Sequence, residues 1–159
     1  MSTQNLQLMP CLIGGDAMVN QVPGAAVPLR FLRFPKERQT EAIFQFMAPS
    51  NYASGATLNV IYDTEDGEAG DIRYTVEVMC VSDTEAANVA SFDTANADTD
   101  TVEATVGETN LSTTALTNAD SIAADDLVLV RLRRTPEHVS DTVDADMRVF
   151  EVDIEFTIA

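Results

Sequence analysis

The end of the chain carries the pattern that most constrains its fold. Over residues 147–159, apolar side chains alternate with acidic or threonine side chains: Phe150, Val152, Ile154, Phe156 and Ile158 are separated by Glu151, Asp153, Glu155 and Thr157. A period of two places each set on one face of a β-strand. Since a single strand is not stable alone, the pattern predicts an all-β domain. We expect Phe150, Val152, Ile154 and Phe156 to be buried in it.

Similar alternation predicts further strands upstream. They cover residues 29–34, 41–48, 57–63, 72–81 and 127–134, with weaker patterns near 102–106 and 111–116. Turn residues separate these segments. We expect at most one or two turns of helix after a capping pattern at Ser82, and one turn near residues 118–124. A count of about eight or nine short strands predicts a single β-sandwich of the jelly-roll type.

The N-terminal segment differs from the rest. In a chain of 159 residues, which is the length of one domain, residues 1–26 contain prolines and glycines and show no sustained period. We therefore predict an extended N-terminal arm (1–26) followed by the sandwich (27–159). Because the arm is too apolar for a solvated tail, we expect it to pack either on this domain or on a neighbouring subunit.

The net charge narrows the range of partners. Twenty-six acidic residues against nine basic residues give a net charge of −17. Such a charge repels the phosphates of nucleic acids and anionic membrane surfaces. The apolar run at residues 8–13 is too short for a transmembrane helix and lacks the basic residues of a secretory signal. We expect no nucleic acid partner, no membrane partner, and folding in a cytosol.

The basic residues are unevenly distributed. Four of the nine lie in one short stretch, namely Arg30, Arg33, Lys36 and Arg38. Such a cluster is a candidate binding site for an acidic partner surface. The alternative is that these residues are solvated charges at a strand edge, or that they pair with the acidic residues of the chain itself.

No catalytic or metal constellation stands out. Cys11 and Cys80 are too far apart in sequence for a metal-ligand motif, and Cys80 continues an inward-facing pattern typical of a buried thiol. His138 lies in a loop, where we expect it to be solvated or locally hydrogen-bonded. No nucleophile elbow or nucleotide-binding glycine motif is present. We therefore predict no enzyme, no cofactor and no metal.

Two possibilities involving carboxylates stay open. Three acid-rich segments, at residues 63–68, 98–100 and 141–146, offer oxygen ligands for Ca²⁺, but none matches the EF-hand pattern, so solvated charge is favoured. A carboxylate pair for glycoside hydrolysis is decided by separation in space, which sequence does not give. The absence of tryptophan argues against a sugar-stacking platform.

Short motifs in the remaining chain follow a familiar order. They are FMAPSNY and GATL (46–52 and 55–58), GDIRY (70–74), LVRLRR (129–134) and DTVDAD (141–146). In this order they resemble a β-sandwich module of tailed-bacteriophage virion proteins over residues 42–159, with Tyr74 at a position where tryptophan is common. The resemblance implies a virion structural protein, a jelly roll that assembles as a trimer, and no enzymatic site.

Among virion roles, the small size favours a capsid decoration (cement) protein that binds and stabilises the outer capsid surface. Its expected partners are the major capsid protein and sister subunits of a homotrimer. It would be made in the host cytoplasm and located on the capsid exterior. The alternatives are a small tail or receptor-binding module of the virion, or a carbohydrate-binding β-sandwich.

Overall fold

The computed structural model describes residues 1–14, 18–21, 29–88 and 90–159, with the backbone alone for 12–14 and 18–21. Eleven strands form within these ranges: β1 (Ser2–Gln7), β2 (Pro10–Gly14), β3 (Met18–Gln21), β4 (Arg30–Phe34), β5 (Thr40–Met47), β6 (Tyr52–Thr64), β7 (Gly70–Val81), β8 (Asn96–Val102), β9 (Asn110–Ala115), β10 (Leu127–Arg134) and β11 (Met147–Ile158). The described residues include no helix capable of spanning a membrane.

The strands form two antiparallel sheets packed face to face. Sheet A has the order β3-β4-β11-β6-β9, and β1 also pairs with β11. Sheet B has the order β2-β5-β10-β7-β8. From β4 onward the chain passes repeatedly between the two sheets, as in a jelly roll. The predicted all-β sandwich of the jelly-roll type is confirmed.

The core lies between the sheets and contains the inward-facing residues that alternation predicts. On β6, Leu58, Val60 and Tyr62 are buried, and Val128, Val130 and Leu132 of β10 face them from sheet B. The rings of Phe46 and Phe156 stack across the core, with centroids 6.4 Å apart. Burial of this apolar surface is the main source of stability for such a sandwich.

β11 contains a β-bulge that the sequence reading did not include. Met147 and Val149 are buried at odd positions, whereas Val152, Ile154 and Phe156 are buried at even positions. The register against β6 shifts between Val149 and Glu151. An extra residue in one strand reverses the faces of all residues beyond it. The expectation that Phe150 is a buried core residue is therefore wrong, because Phe150 is the extra residue and is only half-buried.

The segment expected as an extended arm contains three strands. β1 pairs with β11 and β2 pairs with β5, so these two strands pack on the domain itself. β3 pairs with β4. Residues 15–17 and 22–28 of the expected arm lie outside the described residues. The division of the chain at residue 26 stays a prediction.

Three other local expectations differ from the structure. The strand expected at 102–106 lies earlier, at β8, because that threonine-rich segment pairs with the long strand β7. The Ser82 amide does donate to the Glu85 carboxylate at 3.2 Å, as in a capping box, but only a turn follows. Near residue 120, Asp120 and Ser121 have positive φ angles of 48° and 56°, which a right-handed helical turn does not allow.

Candidate functional site

A pocket opens where sheet A changes partner strands. β4 and β1 pair with the same side of β11. β4 pairs with residues 147–149, and β1 pairs with residues 153–158. The β11 residues between these two pairings contain the bulge at Phe150. After Gln7 the chain leaves sheet A and crosses to sheet B as β2. The result is a gap in the sheet, which we call the gap pocket.

The gap pocket has a volume of about 400 Å³, within the range of roughly 300–1,000 Å³ that ligand sites occupy. Its lining residues come from the end of β1 and the crossover to the first residue of β2, the start of β4, the bulged part of β11, and Phe44 of β5: Gln7, Leu8, Met9, Pro10, Arg30, Phe31, Leu32, Phe44, Val149, Phe150, Glu151 and Val152. The lining is therefore apolar with a few polar side chains.

Two aromatic rings form one wall of the gap pocket. Phe31 and Phe150 contact each other edge to face, with ring centroids 6.2 Å apart and planes inclined by 69°. This is a favourable arrangement for aromatic pairs. The bulge turns Phe150 away from the core and towards Phe31. Phe31 is 7% exposed and Phe150 is half-buried, so the aromatic surface open to a ligand lies mainly on Phe150.

Behind this wall lies a buried ion pair on the outer face of sheet A. The Arg148 guanidinium donates two hydrogen bonds to Asp63, at 2.7 and 2.6 Å. It also lies 5.6 Å from the centroid of the Phe31 ring, within cation–π range. Hydrogen bonding to Asp63 raises the pKa of Arg148. These contacts hold Phe31 in place.

Two side chains of opposite charge, Arg30 and Glu151, line the gap pocket and do not form an ion pair with each other. Within the described part of the chain, neither the Arg30 guanidinium nor the Glu151 carboxylate has a hydrogen bond or ion pair. Arg30 is exposed and Glu151 is half-buried. The pocket therefore offers unused donors on Arg30 and unused acceptors on Glu151, next to the aromatic wall.

The four basic residues predicted as a binding site make different contacts in the structure. Arg30 lines the gap pocket, while Arg33 forms an ion pair with Asp146. Lys36 pairs with Asp144 at 2.7 Å, and Arg38 also interacts within the protein. Arg33 and Lys36 thus pair with acidic residues of the chain itself. Their role in binding a partner stays a prediction.

The acid-rich segments are occupied by internal contacts. Asp63 binds Arg148, and Asp98 and Asp100 accept hydrogen bonds from Thr114 and Tyr62. Among the described residues, no group of three acidic, histidine or cysteine side chains is placed to hold a metal ion. The acidic side chains therefore serve the packing of loops and sheet edges.

Two expectations on single residues are confirmed. Cys80 is a buried free thiol, and burial raises its pKa to about 12. His138 lies exposed in its loop, and its Nδ1 atom accepts a hydrogen bond from the Ser140 amide at 3.1 Å. A thiol with so high a pKa is unreactive.

Phe31, Phe150 and Glu151 are not among the site residues predicted from the sequence. A signal for the bulge was present: the apolar positions of the last strand change from odd (147, 149) to even (152, 154, 156). This change of parity indicates an extra residue at 150 or 151. Nothing in the local sequence indicates that Arg30 and Gln7 lie beside that bulge, because they belong to strands distant in the chain.

No family model and no curated protein sequence matches this chain. Solved structures share its fold. The Arthrobacter globiformis T6 isomalto-dextranase complexed with panose aligns with a TM-score of 0.54 and 14% identity, over 96% of this chain and 23% of that one. The K1 cleaved adhesin domain of Lys-gingipain from Porphyromonas gingivalis W83 aligns with a TM-score of 0.50 and 14% identity, over 99% of each chain.

The CBM35 of Cellvibrio japonicus Abf62 aligns with a TM-score of 0.49 and 11% identity, over 96% of this chain and 92% of that one. This chain spans less than a quarter of the isomalto-dextranase chain that it matches. At such low identities the likeness is one of fold alone.

Proposed function

We propose that this protein is a non-catalytic carbohydrate-binding β-sandwich, with the gap pocket as its ligand site. The observation that carries the proposal is the pair of unpartnered side chains, Arg30 and Glu151, beside the Phe31–Phe150 wall. A sugar has an apolar C–H face and hydroxyl groups that both donate and accept hydrogen bonds. The pocket offers an aromatic surface for the first, and a donor and an acceptor for the second.

The fold supports the same proposal. The isomalto-dextranase, of which 23% shares this fold, is complexed with panose. Of the functions expected from sequence, carbohydrate binding was an alternative to capsid decoration, and the gap pocket favours it.

The test is binding of the labelled protein to an array of immobilised glycans that includes panose. We expect binding to at least one glycan class. Arg30→Gln and Glu151→Gln should each weaken it about tenfold or more, since hydrogen bonds to charged groups contribute ~1.5–3 kcal/mol. Glu155→Gln, on the same strand, and Arg73→Gln, on sheet B, are matched controls and should bind normally. Binding to no glycan would overturn the proposal.

Capsid decoration is the second candidate, and one observation favours it. Met9, which lines the gap pocket together with Arg30, and Leu29, which precedes Arg30 in the chain, are exposed apolar side chains, at 79% and 51% exposure. An apolar surface with one free cation suits an acidic protein partner. Stripped phage capsids would be rebound with wild type and with the Met9→Ser, Arg30→Glu double variant. Equal occupancy would count against docking through this surface.

A further inference from the structure

We propose that the gap pocket selects sugars that bear a methyl-terminated substituent, either an N-acetyl group or the methyl group of a deoxy sugar. This inference rests on the proposed carbohydrate-binding function and names the class of ligand. It follows from the difference between the rim of the pocket and its bottom.

The bottom of the gap pocket is apolar. It consists of core side chains from both sheets: Leu8, Leu32, Phe44, Val149 and Val152. The nearby Val152 carbonyl already accepts a hydrogen bond from the Leu8 amide at 2.8 Å. A hydroxyl group placed there would lose its hydrogen bonds to water and gain none from these side chains, whereas a methyl group would gain contact with them.

The polar side chains lie towards the outside of the pocket. Arg30 and Gln7 are exposed, and Glu151 is half-buried. A ligand that fits has an apolar end pointing inwards and several hydroxyl groups at the rim. An unsubstituted hexose carries only hydroxyl groups as substituents around its ring and has no methyl group. An N-acetylated or 6-deoxy sugar has one methyl group among its hydroxyl groups. The volume of about 400 Å³ admits such a residue.

Matched pairs of sugars test the inference on the wild-type protein. Calorimetry would compare N-acetylglucosamine with glucose, and 6-deoxy-L-galactose with L-galactose. In at least one pair we expect the methyl-bearing sugar to bind about tenfold tighter or more, because one methylene in an apolar pocket is worth roughly 10–200-fold. The pair that shows the difference distinguishes the acetamido from the deoxy source of the methyl group.

Equal binding within both pairs, or tighter binding of the hydroxyl-bearing sugars, would overturn this inference and leave the proposed function intact. If the protein binds no glycan on the array and none of these four sugars, both this inference and the proposed function are wrong.

A pair of variants tests the location. Val152→Thr puts a hydroxyl group into the bottom of the gap pocket at nearly constant volume and should reduce the preference for the methyl-bearing sugar at least fivefold. Val60→Thr makes the same change at its cross-strand partner, which does not line the pocket. It should retain the preference at the wild-type value. An unchanged preference in folded Val152→Thr would place the methyl group elsewhere and contradict the inference.

Discussion

Arg134 and Asp141 form an ion pair from which water is excluded: their side chains are 0% and 1% exposed. The guanidinium donates to both carboxylate oxygens, at 2.8 and 3.1 Å. Its remaining hydrogen bonds go to the carbonyl oxygens of Val143, Ala145 and Phe34, at 3.0, 2.7 and 3.4 Å. Arg134 ends β10 and Asp141 lies in the loop before β11. The pair therefore fixes the path by which the chain returns to sheet A.

The first prediction concerns this pair. Arg134→Met should lower the free energy of unfolding by about 3–5 kcal/mol, because it leaves the Asp141 carboxylate buried without its partner. Arg134→Lys should also be strongly destabilising, since an ammonium group lacks the planar fork that reaches both the carboxylate and the carbonyl oxygens. Urea denaturation measures both effects. A loss below 1 kcal/mol in Arg134→Met would contradict the account.

The second prediction compares two phenylalanines of β11. Phe156→Ala should cost about 3–5 kcal/mol, because it opens a cavity in the core where Phe156 stacks on Phe46. Phe150→Ala should cost much less, because Phe150 is half-buried in the bulge, but it should weaken glycan binding. Thermal or urea melts give the stabilities. Equal losses in the two variants would mean that Phe150 belongs to the core.

The third prediction concerns stability at high pH. Burial raises the pKa of Tyr74 to about 12, although its hydrogen bonds with Ser112 and Thr114 oppose the shift. In the unfolded chain the phenol ionises near pH 10. Between about pH 10 and 12 the folded state holds a proton that the unfolded state releases, so stability decreases as pH rises.

For Tyr74 this loss amounts to about 2–3 kcal/mol by pH 12. Burial also raises the pKa of Tyr62, which acts in the same direction. Chemical denaturation at pH 9 and pH 11 should show a smaller loss in Tyr74→Phe than in wild type. Identical losses in the two proteins would rule out this contribution.

The fourth prediction is the oligomeric state expected from the virion resemblance. β9 also contains threonines and is an edge strand of sheet A, and its Leu111 is 64% exposed. A closed cyclic assembly would cover such a surface. Light scattering of a trimer should give three times the chain mass of 17.2 kDa. A mass of one chain at all concentrations would exclude the trimer.

Alternation within a single segment predicted the strands well. The bounds predicted for β10, residues 127–134, agree with the structure, and the burial of Val128, Val130 and Leu132 follows from the same pattern. Such a pattern is local, since successive side chains of any strand point to opposite faces. Two local patterns did not give the predicted structure. The capping pattern at Ser82 began no helix, and β8 lies earlier in the chain than predicted because it pairs with β7.

The sequence by itself determined the all-β class, the number of layers, most strand positions and the inward faces, because periodicity and turn chemistry depend on neighbouring residues. Only the tertiary structure decided where sheet A would open. The gap pocket requires β1 and β4 to pair with the same side of β11, and it requires Phe44 of the other sheet beneath them. These segments are distant in the chain, so their contact depends on strand pairing. With this pairing, Arg33 and Lys36 contact acidic residues, whereas Arg30 has no hydrogen bond or ion pair within the described ranges of the chain.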